Sequence, residues 1–111
     1  MFGFGGKKYQ DNVWRLLDQI NARKLLPSMA PLNSEIMKYR HNNFSEHEAA
    51  LLLCFSCALS IDLAGNHERA QTLYDRARDA QDGWIAAGFV NESDAIGFNK
   101  HIAANSSIRA R

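Results

Sequence analysis

Two cysteines in the sequence have a spacing that other proteins use for redox chemistry or for zinc binding. Cys54 and Cys57 form a C-x-x-C pair, as in thiol–disulfide exchange and zinc ligation. A reactive thiol of this kind gains acidity at a helix N-terminus, whereas these two lie well inside a predicted helix. No second cysteine pair is present to complete a zinc site. We therefore interpret both residues as core and predict no metal and no cofactor.

The other catalytic motifs in the sequence are incomplete. His47 and Glu48 begin the H-E-x-x-H pattern of zinc proteases, but Leu51 stands where the second histidine is required. The glycine-rich start, MFGFGGKKYQ, lacks the strand that precedes a phosphate-binding loop, and no serine lies in a nucleophile-elbow motif. The sequence therefore predicts no catalytic residue. A small enzyme with a site assembled across helices stays as an alternative.

A single carboxylate, Asp62, interrupts the longest apolar stretch of the chain. It lies near the C-terminal end of the predicted helix, where the helix dipole disfavours negative charge. A buried carboxylate needs a cation or several hydrogen-bond donors. The alternative is that Asp62 is exposed to solvent at the end of the helix.

The apolar stretch itself, SEHEAALLLCFSCALSIDLAG, predicts a helix around which the other elements pack. Ser45 and Glu48 have the spacing of a capping box, and Gly65 followed by Asn66 predicts a helix end and a new helix start. Apolar residues lie almost all round this helix, which therefore requires neighbours on several sides. The apolar run is shorter than the roughly 20 residues that a bilayer requires, so we predict no membrane span.

Three further long helices and one short helix follow from the apolar periodicity and the cap residues. The long ones are expected at about Lys8 to Leu26, His67 to Ala87, and Asn91 or Ser93 to Ala104, and the short one runs to Tyr39. We predict an all-α fold: a compact orthogonal or antiparallel bundle of four main helices plus one short helix around a buried central helix, Ser45 to Ala64. The 111 residues form one domain, with a flexible arm at 1–6 and a flexible tail at 105–111.

Charge and composition favour no nucleic acid or membrane partner. Thirteen basic and twelve acidic side chains give a formal charge of +1, so the protein has no strong overall field. The N-terminal region has no continuous apolar segment of the kind that a secretion signal contains. We expect a cytoplasmic protein.

The predicted central helix and its successor have small or aromatic residues at five regularly placed positions: Ala58, Gly65, Ala70, Tyr74 and Ala77. These positions resemble those of a tetratricopeptide-type helical hairpin, over about residues 51–84. Four other positions depart from it: Cys54, Cys57, Ile61 and Asp82. The match covers about a third of the chain and has no second copy. The resemblance implies a concave partner surface formed by Leu52, Phe55, Leu59 and Asp62.

Large apolar side chains at unusual places favour a binding role. Phe2 and Phe4 lie on the glycine-rich arm, and Trp14 lies off the apolar stripe of its helix. Trp14 is either covered by the arm or a loop, or anchors an interface. We predict a protein–protein interaction module, a regulator or adaptor of another protein, with a homodimer as the alternative in which the partner is a second copy of the chain.

The alternative from another class is a nucleic-acid-associated regulator. Seven basic residues occur in the first forty: Lys7, Lys8, Arg15, Arg23, Lys24, Lys38 and Arg40. Only Asp11, Asp18 and Glu35 oppose them there. This local excess of positive charge is what a phosphate backbone would contact.

Overall fold

A computed structural model describes residues 7–23 and 45–110, and within these ranges all regular structure is helical. The helices are α1 (Lys7–Arg23), α2 (Glu46–Leu63), α3 (His67–Ala86) and α4 (Glu92–Asn105). The predicted all-α class and the four main helices are confirmed. The arm at 1–6 and the predicted short helix lie outside the described residues.

The start of α2 and the turn between α2 and α3 are set by the predicted cap residues. The Ser45 hydroxyl accepts a hydrogen bond from the Glu48 N–H at 3.2 Å and donates one to the Glu48 carboxylate. Gly65 has φ of +94°, which is the left-handed conformation that closes a helix. The Asn66 N–H reaches back to the carbonyl of Ile61 at 3.2 Å, and its side chain caps α3.

The end of α3 repeats this construction. Gly88 has φ of +85°, and the Phe89 N–H donates to the carbonyl of Trp84 at 2.9 Å. Asn91 then accepts a hydrogen bond from the Asp94 N–H at 3.2 Å and caps α4. Two short turns with glycine and asparagine caps therefore account for the boundaries that the sequence predicts here.

Side-chain contacts show that α2 and α3 form an antiparallel hairpin. His47 near the start of α2 contacts Trp84 near the end of α3, and Phe55 contacts Tyr74 half-way along. At the turn, Asp62 contacts His67. Small buried residues let the two backbones approach closely. They are Ala58, Ala70 and Ala77.

The central position of α2 is confirmed. Ten of its residues are buried: Ala49, Ala50, Leu51, Leu53, Cys54, Phe55, Cys57, Ala58, Ile61 and Asp62. The periodicity places Leu63 on the apolar face, but Leu63 is 81% exposed. It is the last residue of the helix and lies beyond the reach of the neighbouring helices.

The other two helices cover the hairpin from different sides. α1 packs against α2 and α3 through Val13, Leu16 and Leu17, which are all buried. Its Asp18 carboxylate accepts a hydrogen bond from Arg76 of α3 at 2.7 Å. α4 runs back toward the α2–α3 turn and buries Ile102 in the common core.

Candidate functional site

A pocket of about 390 Å³ lies between α2 and α4. Its apolar lining consists of Leu51, Leu52, Phe55, Val90, Ala95, Gly97 and Phe98. Its polar lining consists of Glu48, Gln81, Ser93, Asp94 and His101. A mostly apolar concavity with a few polar groups is the usual form of a binding site in a small domain.

The pocket exists because α4 lies farther from the hairpin than α2 and α3 lie from each other. Long side chains bridge this wider gap. The rings of Phe55 and Phe98 have centroids 5.5 Å apart, a separation typical of favourable aromatic pairs. Leu52 is half-buried beside them, so part of the apolar wall faces the opening.

A buried polar network holds α4 at this distance. The Tyr74 hydroxyl donates to Oδ1 of Asn99 at 2.8 Å. Nδ2 of Asn99 donates to Oε1 of Gln81 at 3.0 Å and to the carbonyl of Ala95 at 2.9 Å. Arg78 donates to the same Gln81 oxygen at 3.2 Å. Gln81 also lines the pocket, so the network that positions α4 forms part of the pocket wall.

The charged groups that line the pocket are acidic. Glu48 lies in the first turn of α2 and Asp94 in the first turn of α4. Among the twelve described residues that line the pocket, none is lysine or arginine. Hydrogen bonds tie Glu48 to Ser45 and pair His101 with Asn105, each within its own segment. The pocket is therefore suited to an apolar group next to a positive charge.

Aromatic residues continue the apolar surface beside the pocket. The imidazole of His47 stacks on Phe89, with ring centroids 4.4 Å apart and planes within 6°. The edge of the same imidazole meets Trp84 at 4.6 Å. Burial lowers the pKa of His47, and the Glu46 carboxylate opposes this shift. Phe89 is 46% exposed, so an aromatic face is open to solvent one residue from the pocket.

At the opposite end of the hairpin, the Asp62 carboxylate is 5% exposed and bound on both oxygens. Oδ1 accepts from Nδ1 of His67 at 2.7 Å, and Oδ2 accepts from the N–H of Ser107 at 3.0 Å. The hydrogen bond from His67 and then that from Ser107 lower the pKa of Asp62, against the effect of burial. Of the two possibilities that the sequence leaves open for Asp62, the structure shows the buried carboxylate with several donors.

The predicted partner-binding residues fall at different places. Leu52 and Phe55 line the pocket, whereas Leu59 is half-buried against the core. Asp62 lies at the other end of the hairpin. The side chains of Phe2 and Phe4 lie outside the described residues. The predicted set therefore comes together only in part, at Leu52 and Phe55.

Trp14 of α1 lies against α3. The guanidinium carbons of Arg69 and Arg76 lie 5.0 Å and 5.2 Å from the centre of its indole ring, within the range of cation–π attraction. Its Nε1 is buried and has no hydrogen-bond acceptor among the described residues. Among the described residues, two arginine side chains thus lie over this off-stripe tryptophan. Its role as a partner anchor stays a prediction.

Both cysteines are fully buried in the core, in agreement with their interpretation as core residues. Burial raises the pKa of Cys57 to about 12, opposed by the charge of Arg69, and it also raises the pKa of Cys54. Thiols of this kind stay protonated at neutral pH and are poor nucleophiles. Within the two described ranges, no group of three or more His, Cys, Asp or Glu side chains could hold a metal ion.

Sequence reasoning missed the role of Asn99. Together with Gly97 it counts against helix α4 by propensity, yet its side chain makes three hydrogen bonds in the core. Gln81 could have indicated this role. It is a polar residue on the apolar arc of α3, and a buried amide requires a polar partner.

Of the seven basic residues of the N-terminal region, the structure describes only the side chain of Arg15, which is exposed.

No protein-family model, curated protein or solved structure matches this chain. The tetratricopeptide resemblance therefore stays a prediction. None of the helices in the described part of the chain is long and apolar enough to cross a membrane.

Proposed function

We propose that this protein is a small interaction module that binds a helix of a partner protein in the pocket between α2 and α4. The observation that supports the proposal is the pocket itself, with its apolar wall and acidic lining. Helices with apolar residues on one face are commonly bound in grooves of this kind. The proposal agrees with the binding role inferred from the sequence, and it locates that role at Leu52 and Phe55.

The size of the pocket indicates how much of a partner it would hold. An apolar cavity of roughly 150 Å³ binds one benzene-sized group, and this pocket has about 390 Å³. It is therefore large enough for two apolar side chains. On a helix, two such anchors lie three or four residues apart.

The charges of the lining indicate the second property of the partner. Glu48 and Asp94 carry the negative charge, and no lysine or arginine lines the described pocket to balance it. A lysine or arginine beside the apolar anchors would meet these carboxylates, while a glutamate there would be repelled. The preferred partner is thus a basic amphipathic helix rather than an acidic one.

The same acidic lining disfavours the nucleic-acid alternative at this site, because phosphates would be repelled. The enzyme alternative requires titratable groups that act on one another. Here the hydrogen bonds of Glu48 and His101 stay within their own segments. Neither alternative gains support from the pocket.

The proposal is tested with a synthetic helical peptide that carries leucines at i and i+4 and lysines beside them. Binding is followed by amide chemical shifts of the labelled full chain. We expect shifts at the residues of the pocket, and the mutation Leu52→Ala should weaken binding about tenfold, or about 1.4 kcal/mol. Leu63→Ala on the same helix is the matched control, because Leu63 is exposed and far from the pocket.

Charge is tested separately. Asp94→Asn should weaken binding of the lysine peptide about twofold to fivefold, as expected for an exposed ion pair. Glu92→Gln in the same first turn is the control outside the lining. The proposal fails if the shifts map elsewhere or if Leu52→Ala binds as tightly as the native chain. A stable homodimer that Leu52→Ala dissociates would place a second copy in the pocket, and it would overturn the proposal of a separate partner.

A further inference from the structure

The segment that follows α4 crosses the end of the hairpin formed by the α2–α3 turn. Ser106 is extended, with φ of −155° and ψ of 176°. The next residues then make contacts that the sequence, which predicts a flexible tail at 105–111, does not anticipate. The Ser107 N–H donates to Asp62, and Ile108 is 4% exposed and belongs to the core cluster.

Gln71 of α3 binds the backbone of the same segment. Its Oε1 accepts from the Arg109 N–H at 2.7 Å, and its Nε2 donates to the Arg109 carbonyl at 3.1 Å. One carboxamide thus satisfies both backbone groups of one residue. A neighbouring β-strand pairs with a residue in the same way, through one donor and one acceptor.

The contacts divide into two kinds. The Asp62 carboxylate and the Gln71 carboxamide bind backbone groups, which every residue except proline provides in full. The side chain of Ile108 is buried, whereas Ser107 and Arg109 are exposed. Recognition of extended peptides commonly combines backbone hydrogen bonds with a pocket for an alternate side chain.

We propose that Asp62, Gln71 and the cavity that holds Ile108 form a peptide-recognition site, which residues 107–109 occupy in cis. In trans the site takes an extended segment of a partner protein with an isoleucine or valine between two exposed residues. Release of the cis segment breaks three backbone hydrogen bonds and leaves the hydrogen bonds of α2, α3 and α4 intact. The site is separate from the pocket between α2 and α4, so the test of this site is independent of the test of the function proposed above.

The test uses the full chain and a fluorescent peptide with the sequence of residues 105–111, NSSIRAR. The native chain should bind this peptide weakly because the cis segment competes. Ile108→Asp should release the cis segment and strengthen binding by about tenfold or more, as expected when a site is occupied about nine-tenths of the time. A peptide with aspartate in place of isoleucine is the control ligand.

Two further variants test whether release of the segment, rather than loss of folding, causes the change in peptide binding. Arg109→Pro removes the N–H that Gln71 accepts and should also strengthen peptide binding, with helicity checked by circular dichroism. Gln71→Ala, added to either variant, should abolish the gain. If neither releasing variant binds the peptide more tightly than the native chain, the segment only closes the core and the proposal is overturned.

Discussion

The two ends of the α2–α3 hairpin are built in opposite ways. At the turn end, Asp62 and Gln71 have polar partners at 2.7–3.1 Å, and Ile108 covers the core. At the open end, an apolar pocket and the exposed ring of Phe89 face outward. Buried polar groups are costly unless paired, whereas apolar surface is tolerated in water at modest cost. Stability should therefore depend on the turn end, and binding should depend on the open end.

The largest expected difference is between the stability losses caused by removing each of two carboxylates of α2, Asp62 and Glu48. Asp62→Ala removes both hydrogen bonds of a buried carboxylate, and hydrogen bonds to charged groups contribute more than neutral ones, so it should lower the free energy of unfolding by about 3 kcal/mol. Glu48→Ala, at the pocket, should cost about 1 kcal/mol or less, since it removes one partly exposed cap contact. Urea denaturation of both variants measures the difference. Equal losses would contradict the division of roles.

A smaller effect of the same kind is expected for two aliphatic side chains. Ile108→Ala creates a cavity at the turn end and should cost about 2 kcal/mol. Leu52→Ala only widens a pocket that is already open and should cost less than about 1 kcal/mol while weakening peptide binding. Chemical denaturation beside the binding assay separates these outcomes. A stability loss at Leu52 as large as that at Ile108 would show that the pocket wall is ordinary core.

The turn end should also respond to acid. The folded-state pKa of Asp62 is below its ordinary value of 3.8, so between the two values the unfolded chain binds more protons. The stability that this carboxylate contributes is complete above the ordinary pKa, and it falls as pH decreases toward the folded pKa. Asp62→Asn should flatten this part of the curve of unfolding free energy against pH. An unchanged curve would mean that other carboxylates cause the acid sensitivity.

The smallest effect is expected at the open end, at His47. Its folded-state pKa is below the ordinary value of 6.5, so protonation favours the unfolded chain. Stability should therefore decrease as pH falls below 6.5 and should level off below the folded pKa. His47→Phe should remove this dependence. An imidazole titration of His47 at or above 6.5 would contradict the expected shift.

Local signals were sufficient to predict the helices. The caps at Ser45, Gly65 and Asn66 are short-range features, and each has its predicted role in the structure. The buried arc of α3 also follows from periodicity, including the polar Gln81. These features depend on residues a few positions apart, which is why the sequence alone contains them.

The candidate site was predictable only in part, because it depends on where α4 lies. Leu52 and Phe55 are on the predicted face, but the residues that complete the pocket come from a helix whose distance the pattern does not give. The partners of Asp62 are equally remote, since Ser107 is 45 positions away. Helix propensity also disfavours Asn99 within α4, and its role in positioning the helix follows only from its tertiary contacts.

Those contacts of Asn99 restrict α4 to one register. Apolar surfaces tolerate sliding, because one aliphatic contact replaces another when a helix moves along its neighbour by a turn. Hydrogen bonds from Tyr74 and to Gln81 do not tolerate it, since any shifted position leaves buried amide groups unpaired. One asparagine thus distinguishes the native alignment of α4 from its near neighbours, and it fixes which residues face the pocket.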